Sequence, residues 1–163
     1  MKYIAHRGLI DGPNIFMENK PEQIINTLSK GYDCEVDVWR VKNAWFLGHN
    51  YPQYEVDNSF IGKQGLWLHC KNLDALHNLC DAPFTYVYFW HQEDEFTLTS
   101  NGHIWTYPGR NLTNNSVAVQ PEFNEDYWKY TKDCRNIIGV CTKYVTRFIN
   151  ETSTVPVRTT PQL

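Results

Sequence analysis

The stretch Asp33-Cys34-Glu35-Val36-Asp37-Val38-Trp39-Arg40 carries two acids two positions apart in a run otherwise suited to a buried strand. Side chains alternate along a strand, so Glu35 and Asp37 share one face while Cys34, Val36 and Val38 share the other. Two neighbouring carboxylates repel, and a divalent cation between them would satisfy both charges through oxygen ligands. The competing reading of this stretch alone is a solvated strand face with two unrelated acids. Further ionisable residues gather where strand-like runs end: His6 and Arg7 after residues 3–5, His49 after 45–47, His69 and Lys71 on one face of 66–71, and His91 closing 84–91. Such a set can bind a metal, neutralise a phosphate and shuttle protons. A lone histidine after a strand is more often a packed or exposed residue than a catalyst. It is the company of Arg7-Gly8 and of Glu35 that moves His6 and His49 to the functional side.

The elements that must position these residues are legible in the same pattern. Residues 3–5 form a short apolar strand, and Gly12-Pro13-Asn14 then breaks the backbone into a loop. Asn19 as a cap and Pro21 in the first turn predict a helix with Ile24, Ile25 and Leu28 toward the core, ended by Gly31. Lys42-Asn43 predicts a hairpin turn that returns Trp45-Phe46-Leu47 toward His49. Residues 51–65 read as a polar connection. A short helix capped by Asn72 carries Leu73, Leu76 and Leu79, and the aromatic strand 84–91 places Val87, Phe89 and His91 on one face. Shorter strands are expected at 96–99, 104–106 and 117–119, then a helix over 124–135 and a last apolar strand over 137–141. Strands alternating with helices give an α/β fold, in which functional residues collect at strand C-terminal ends. Trp105 and Tyr107 are candidates for a pocket wall, with core packing as the plainer role, and Glu122 after Pro121 is either a distant ligand or a helix-entry residue. His77 and His103 read as structural or exposed.

Composition bounds what such a site could serve. A chain of 163 residues with 42% hydrophobic and 15% aromatic content folds as one domain, expected over 1–151, with 152–163 as an exposed tail rich in Thr and Pro. A net charge of -3 makes no electrostatic case for nucleic acid or an anionic membrane surface, and no run approaches the ~20 apolar residues of a membrane span. The start, Met1-Lys2-Tyr3-Ile4-Ala5, does not resemble a signal peptide, and five cysteines without metal-site spacing read as reduced thiols. The expectation is a cytoplasmic protein whose partner is a small molecule, and whose sequons at Asn111, Asn114 and Asn150 are not glycosylated. No nucleophile elbow, Gly-rich phosphate loop or cysteine knuckle is present.

Taken in order, Ile4-Ala5-His6-Arg7-Gly8, Glu18-Asn19 before a helix, Glu35-Val36-Asp37-Val38 and Gly48-His49 resemble the N-terminal signature of the glycerophosphodiester phosphodiesterase family, within the phosphatidylinositol-phospholipase-C-like phosphodiesterases on TIM-like barrels. The likeness covers about the first 72 residues. A weaker echo lies in Ile104-Trp105-Thr106 and in Ile138-Gly139-Val140-Cys141-Thr142-Lys143-Tyr144. The resemblance implies a metal-dependent phosphodiester hydrolase in which His6 and His49 act as general acid and base, Arg7 and Lys71 hold the phosphate, and Glu35 and Asp37 bind a divalent ion (Mg, Ca or Mn). Three departures stand out. His69 replaces a carboxylate ligand in His69-Cys70-Lys71, Asn50 follows His49 where the family usually has Asp, and the chain is short of the ~250 residues typical of a (β/α)8 barrel. The expectation is therefore a reduced or incomplete TIM-like barrel with a phosphodiesterase site. The alternative is a non-catalytic phosphate- or sugar-phosphate-binding module that has lost turnover.

Overall fold

The computed structural model describes residues 1–81 and 86–153. In chain order the elements are β1 (Lys2–His6), α1 (Pro21–Ser29), β2 (Asp33–Val41), β3 (Ala44–Leu47), β4 (Tyr54–Val56), α2 (Asn58–Ile61), β5 (Leu66–Cys70), α3 (Leu73–Asp81), β6 (Val87–Trp90), β7 (Phe96–Leu98), β8 (Ile104–Thr106), β9 (Ser116–Val119), α4 (Glu125–Asp133), β10 (Gly139–Thr142) and α5 (Val145–Ser153). Parallel pairing runs continuously through β8, β9, β10, β1, β2, β5 and β6. The β3–β4 hairpin extends the C-terminal half of β2 antiparallel to it, and β7 pairs antiparallel with β8. This is a mixed α/β fold built on a curled sheet.

The curl follows from contacts between strands at opposite ends of the parallel order. Phe89 of β6 and Trp105 of β8 lie 4.6 Å apart, and Trp67 of β5 lies 5.7 Å from Trp105. With Ile4, Val117, Val119 and Cys141 they fill the concave side of the sheet. Across the gap, Thr97 donates to the Trp90 carbonyl and Ser100 N–H to that of Tyr88, both at 2.9 Å. The convex side is covered by helices, through Ile24, Ala75, Leu79 and Val145 against Ala5, Cys34, Val36, Val38 and Leu68. A buried aliphatic side chain of this kind contributes about 1.5–3 kcal/mol relative to exposure. A second patch joins Trp128, Val140 and Phe148.

Local sequence explains most element ends. Lys42 and Asn43 both take positive φ, +48° and +65°, the turn geometry that matches the right-handed twist of a two-residue hairpin. Asp57, Asn72 and Asn124 accept from backbone N–H groups at the starts of α2, α3 and α4. Several expectations are corrected. Residues 51–65, read as a polar connection, contain β4 and α2. Lys20, not Asn19, is the N-cap residue of α1, and Ile25 points to solvent while Ile24 and Thr27 are buried. Thr152 and Ser153, expected in the tail, complete α5 by donating to the carbonyls of Phe148 and Ile149. The rest of that tail, 154–163, and the start of the expected aromatic strand, 84–85, lie outside the described residues. All five cysteines are free thiols. Among the described residues no helix is long and apolar enough to cross a membrane.

Candidate functional site

Register brings the acids and their partners together. His6, the last residue of β1, is level with Glu35, and Asp37 is level with His69 on the other side of β2. Glu35 and Asp37 therefore sit mid-strand in β2, which runs on to Val41, but at the C-terminal ends of β1 and β5. Both are buried, at 2% and 1% exposure. Glu35 lines a cavity of about 220 Å³ together with His6, Arg7, His49, His69, Lys71 and His91, and Asp37 lies behind this lining, against His69 and Lys71.

Each carboxylate has one oxygen engaged by protein and one turned inward. Glu35 Oε2 accepts the Arg7 backbone N–H at 3.0 Å, with His6 Nε2 at 3.7 Å. Arg7 reaches this position with φ at +53°, and Gly8 follows at +79° with Ile24 packed 3.0 Å from where a Cβ would stand. Asp37 Oδ2 accepts from Asn19 Nδ2 at 2.8 Å and lies 3.3 Å from Arg7 Nε, while Asp37 N–H donates to Asn19 Oδ1 at 2.9 Å. The remaining oxygens, Glu35 Oε1 and Asp37 Oδ1, face His69 Nδ1 at 3.7 and 3.0 Å. The contact to Asp37 Oδ1 is an ion-pair distance out of line for a hydrogen bond, which leaves that buried oxygen without a donor. One ligand atom from each of Glu35, Asp37 and His69 thus lies within 4.8 Å of the others. Two carboxylates and an imidazole make a donor set suited to a divalent ion.

His69 is aimed by its surroundings. Its ring stacks on Phe89 at 5.1 Å, and Nε2 donates to the His91 carbonyl at 3.0 Å, so Nδ1 is the atom offered to the acids. The close approach and charge of Asp37, with Glu35 adding to it, outweigh burial and raise the His69 pKa. Burial and the neighbouring Asp37 push Glu35 up to about 7. Asp37 goes the other way despite burial, held far below the usual carboxylate range by His69, Arg7 and Lys71.

The two candidate proton-transfer residues differ in setting. His6 is buried, and desolvation with the charge of Arg7 drives its pKa well below the ordinary value. His49 is partly buried and lowered chiefly by desolvation, and its Nδ1 donates to Asn50 Oδ1 at 2.7 Å, leaving Nε2 with its lone pair. Gly48 makes the approach to His49 possible: a Cβ there would meet the Tyr51 carbonyl oxygen at 2.2 Å.

The cationic residues are already paired. Arg7 Nη1 binds Glu18 Oε2 at 2.7 Å, Lys143 Nζ binds Glu18 Oε1 at 2.5 Å, and Lys71 Nζ lies 3.7 Å from Asp37 Oδ1. Of the pocket candidates, His91, Trp105 and Tyr107 line the cavity and Glu122 does not. Glu122 accepts from Thr142 Oγ1 at 2.8 Å and Lys143 N–H at 3.1 Å, so it fastens the end of β10. His91 Nδ1 is buried without a hydrogen bond, 3.8 Å from Asp94 Oδ2. Sequence reasoning missed Gln120 and Gln92, which line the cavity, and it took Asn19 for a cap where the side chain braces Asp37. Buried Asn19 at φ +57° could have been suspected only from its place after Glu18.

No family model, curated protein or solved structure matches this chain.

Proposed function

We propose that this chain is a metal-dependent phosphodiester hydrolase of glycerophosphodiester phosphodiesterase type, carried on a reduced TIM-like barrel. The observation that carries the reading is the convergence of Glu35 Oε1, Asp37 Oδ1 and His69 Nδ1 within 4.8 Å of one another, beside the cavity that Glu35 and His69 line with His6, His49, Arg7 and Lys71. Continuous parallel pairing, with the site at strand C-terminal ends, supports the barrel part of it.

Glu35, Asp37 and His69 would hold the ion. When bound, it supplies positive charge against the phosphoryl oxygens. His49 Nε2 takes the proton from the attacking hydroxyl, either a neighbouring group on the substrate or a water, as that oxygen bonds to phosphorus. The ester P–O bond breaks, and His6 gives its proton to the departing oxygen. His6 is neutral at rest, and an entering phosphodiester anion favours its protonation, which loads the acid when substrate is bound. Arg7 and Lys71 neutralise the remaining phosphate charge.

A second reading, a phosphate-binding module without turnover, is favoured by one feature. A protonated His69 beside Asp37 supplies a cation to the acids from within the chain. Hydrolysis of bis(4-nitrophenyl) phosphate and glycerophosphodiesters, assayed with Mg, Ca, Mn or Zn and after chelation, separates the two. Metal-dependent release supports the hydrolase; binding of inorganic phosphate with no turnover under any ion favours the module.

A further inference from the structure

Val119 and Gln120 are consecutive, yet both line the cavity. A regular strand sends successive side chains to opposite faces, so Gln120 would face outward if β9 simply continued. The backbone breaks the alternation. Gln120 adopts φ +43° and ψ +54°, a left-handed conformation disfavoured for a residue with a side chain and for one preceding proline. Its N–H is tied to the Cys141 carbonyl at 2.7 Å, which fixes the turn against β10. Strain held in place at a cavity wall is the kind of observation from which a role can be inferred.

The turn delivers the Gln120 amide to 3.1 Å from His6 Nδ1, its one side-chain hydrogen bond among the described residues. We propose that Gln120 is the positioning residue of His6: its amide occupies Nδ1 and so leaves Nε2 as the nitrogen presented to Glu35 and the cavity. An amide has both a donor and an acceptor end. Its NH2 group satisfies a bare Nδ1, and after a half-turn its carbonyl satisfies Nδ1–H, so the ring keeps its orientation whether or not it is protonated. A carboxylate at this place would instead hold the proton on Nδ1. Asn50 also engages Nδ1 of His49, but through its amide oxygen, which accepts from Nδ1–H, so both histidines carry an amide on Nδ1 with opposite hydrogen-bond polarity.

The effect on turnover rests on the proposed hydrolase reading; the contact itself does not. Long-range ¹H–¹⁵N spectra of the histidine rings in the full chain test it, with wild type compared to Gln120→Glu and Gln120→Met. The glutamate should convert the His6 ring to the Nδ1–H form, and the methionine should return it to the tautomer mixture of free imidazole, with the His49 signals unmoved in both. With a phosphodiester substrate, Gln120→Met should lower kcat about tenfold or more at KM within about twofold, and Gln120→Glu should recover part of it. His6 ring signals in Gln120→Glu identical to wild type would overturn the proposal. If Gln120→Met fails to fold, the isosteric glutamate decides alone. If wild type hydrolyses nothing, the functional reading falls and the ring spectra still decide this one.

Discussion

The His91 carbonyl accepts a hydrogen bond from His69 Nε2 at 3.0 Å, and this single contact decides which nitrogen of His69 meets Glu35 and Asp37. With Nε2 committed as donor, Nδ1 either carries a second proton and pairs with Asp37 or gives that proton up and offers its lone pair to an ion.

The first prediction is metal preference. A carboxylate, carboxylate and imidazole set carries one negative charge fewer than three acids and favours transition ions over Ca or Mg. Mn should support hydrolysis better than Ca, chelation by EDTA should abolish it, and His69→Glu should shift preference toward Ca or Mg. Initial rates with each ion in both proteins check this; an unchanged preference removes His69 from the ligand set.

The second concerns Glu35 and pH in the absence of divalent ions. Its folded pKa is raised to about 7 from an ordinary 4.5, chiefly by burial. Below the unfolded value both states hold the proton and nothing is lost. Between the two values the unfolded chain releases a proton that the folded chain keeps, so stability falls as pH rises and levels off above about 7. Glu35→Gln, which keeps an acceptor for Arg7 N–H, should therefore be more stable than wild type by about 1–3 kcal/mol at pH 8, converging at pH 4. Denaturant melts at the two pH values measure the difference.

Turnover should depend on both histidines. His6→Ala and His49→Ala should each lower kcat by about 10²–10⁴. His49, only partly buried, should leave the melting temperature close to wild type. Loss of folded structure in His6→Ala would assign that residue to the core, and the circular dichroism melt decides.

Gly48→Ala should damage the approach to His49. The added Cβ would stand 2.2 Å from the Tyr51 carbonyl oxygen, a backbone atom with little freedom to move. We expect a stability loss of about 1–3 kcal/mol together with loss of turnover, whereas Gly102→Ala, with nothing within 4 Å, should spare turnover. Paired melts and rates test the contrast.

Asn19 braces Asp37 through two hydrogen bonds while nearly fully buried. Asn19→Leu should cost about 1–3 kcal/mol, because the Asp37 backbone N–H is left unsatisfied in the interior. A melt unchanged from wild type would show that water takes over both bonds.

Much of this protein was decided locally and can be read from the chain. Period-two alternation put Glu35 and Asp37 on one face of a strand and Cys34, Val36 and Val38 on the other, because the strand's geometry imposes that pattern whatever surrounds it. Lys42-Asn43 set a hairpin turn, and apolar runs separated by helix signals set a mixed α/β order. Other features depended on neighbours distant in sequence. Strand register made His6 and His69 flank Glu35 and Asp37, and the His91 carbonyl chose the nitrogen of His69. Asn19 looked like a helix cap because caps and buried amide braces use the same residue type, and only the packing of its loop against β2 separates them. Glu122 was drawn off to the end of β10 by Thr142 and Lys143, far along the chain but adjacent in space. Gln120 was invisible for a sharper reason: alternation points it outward, and only the left-handed turn held by the Cys141 carbonyl brings it to His6. Local backbone preference is written residue by residue, whereas the partner of a buried polar group is set by which strands the fold makes adjacent.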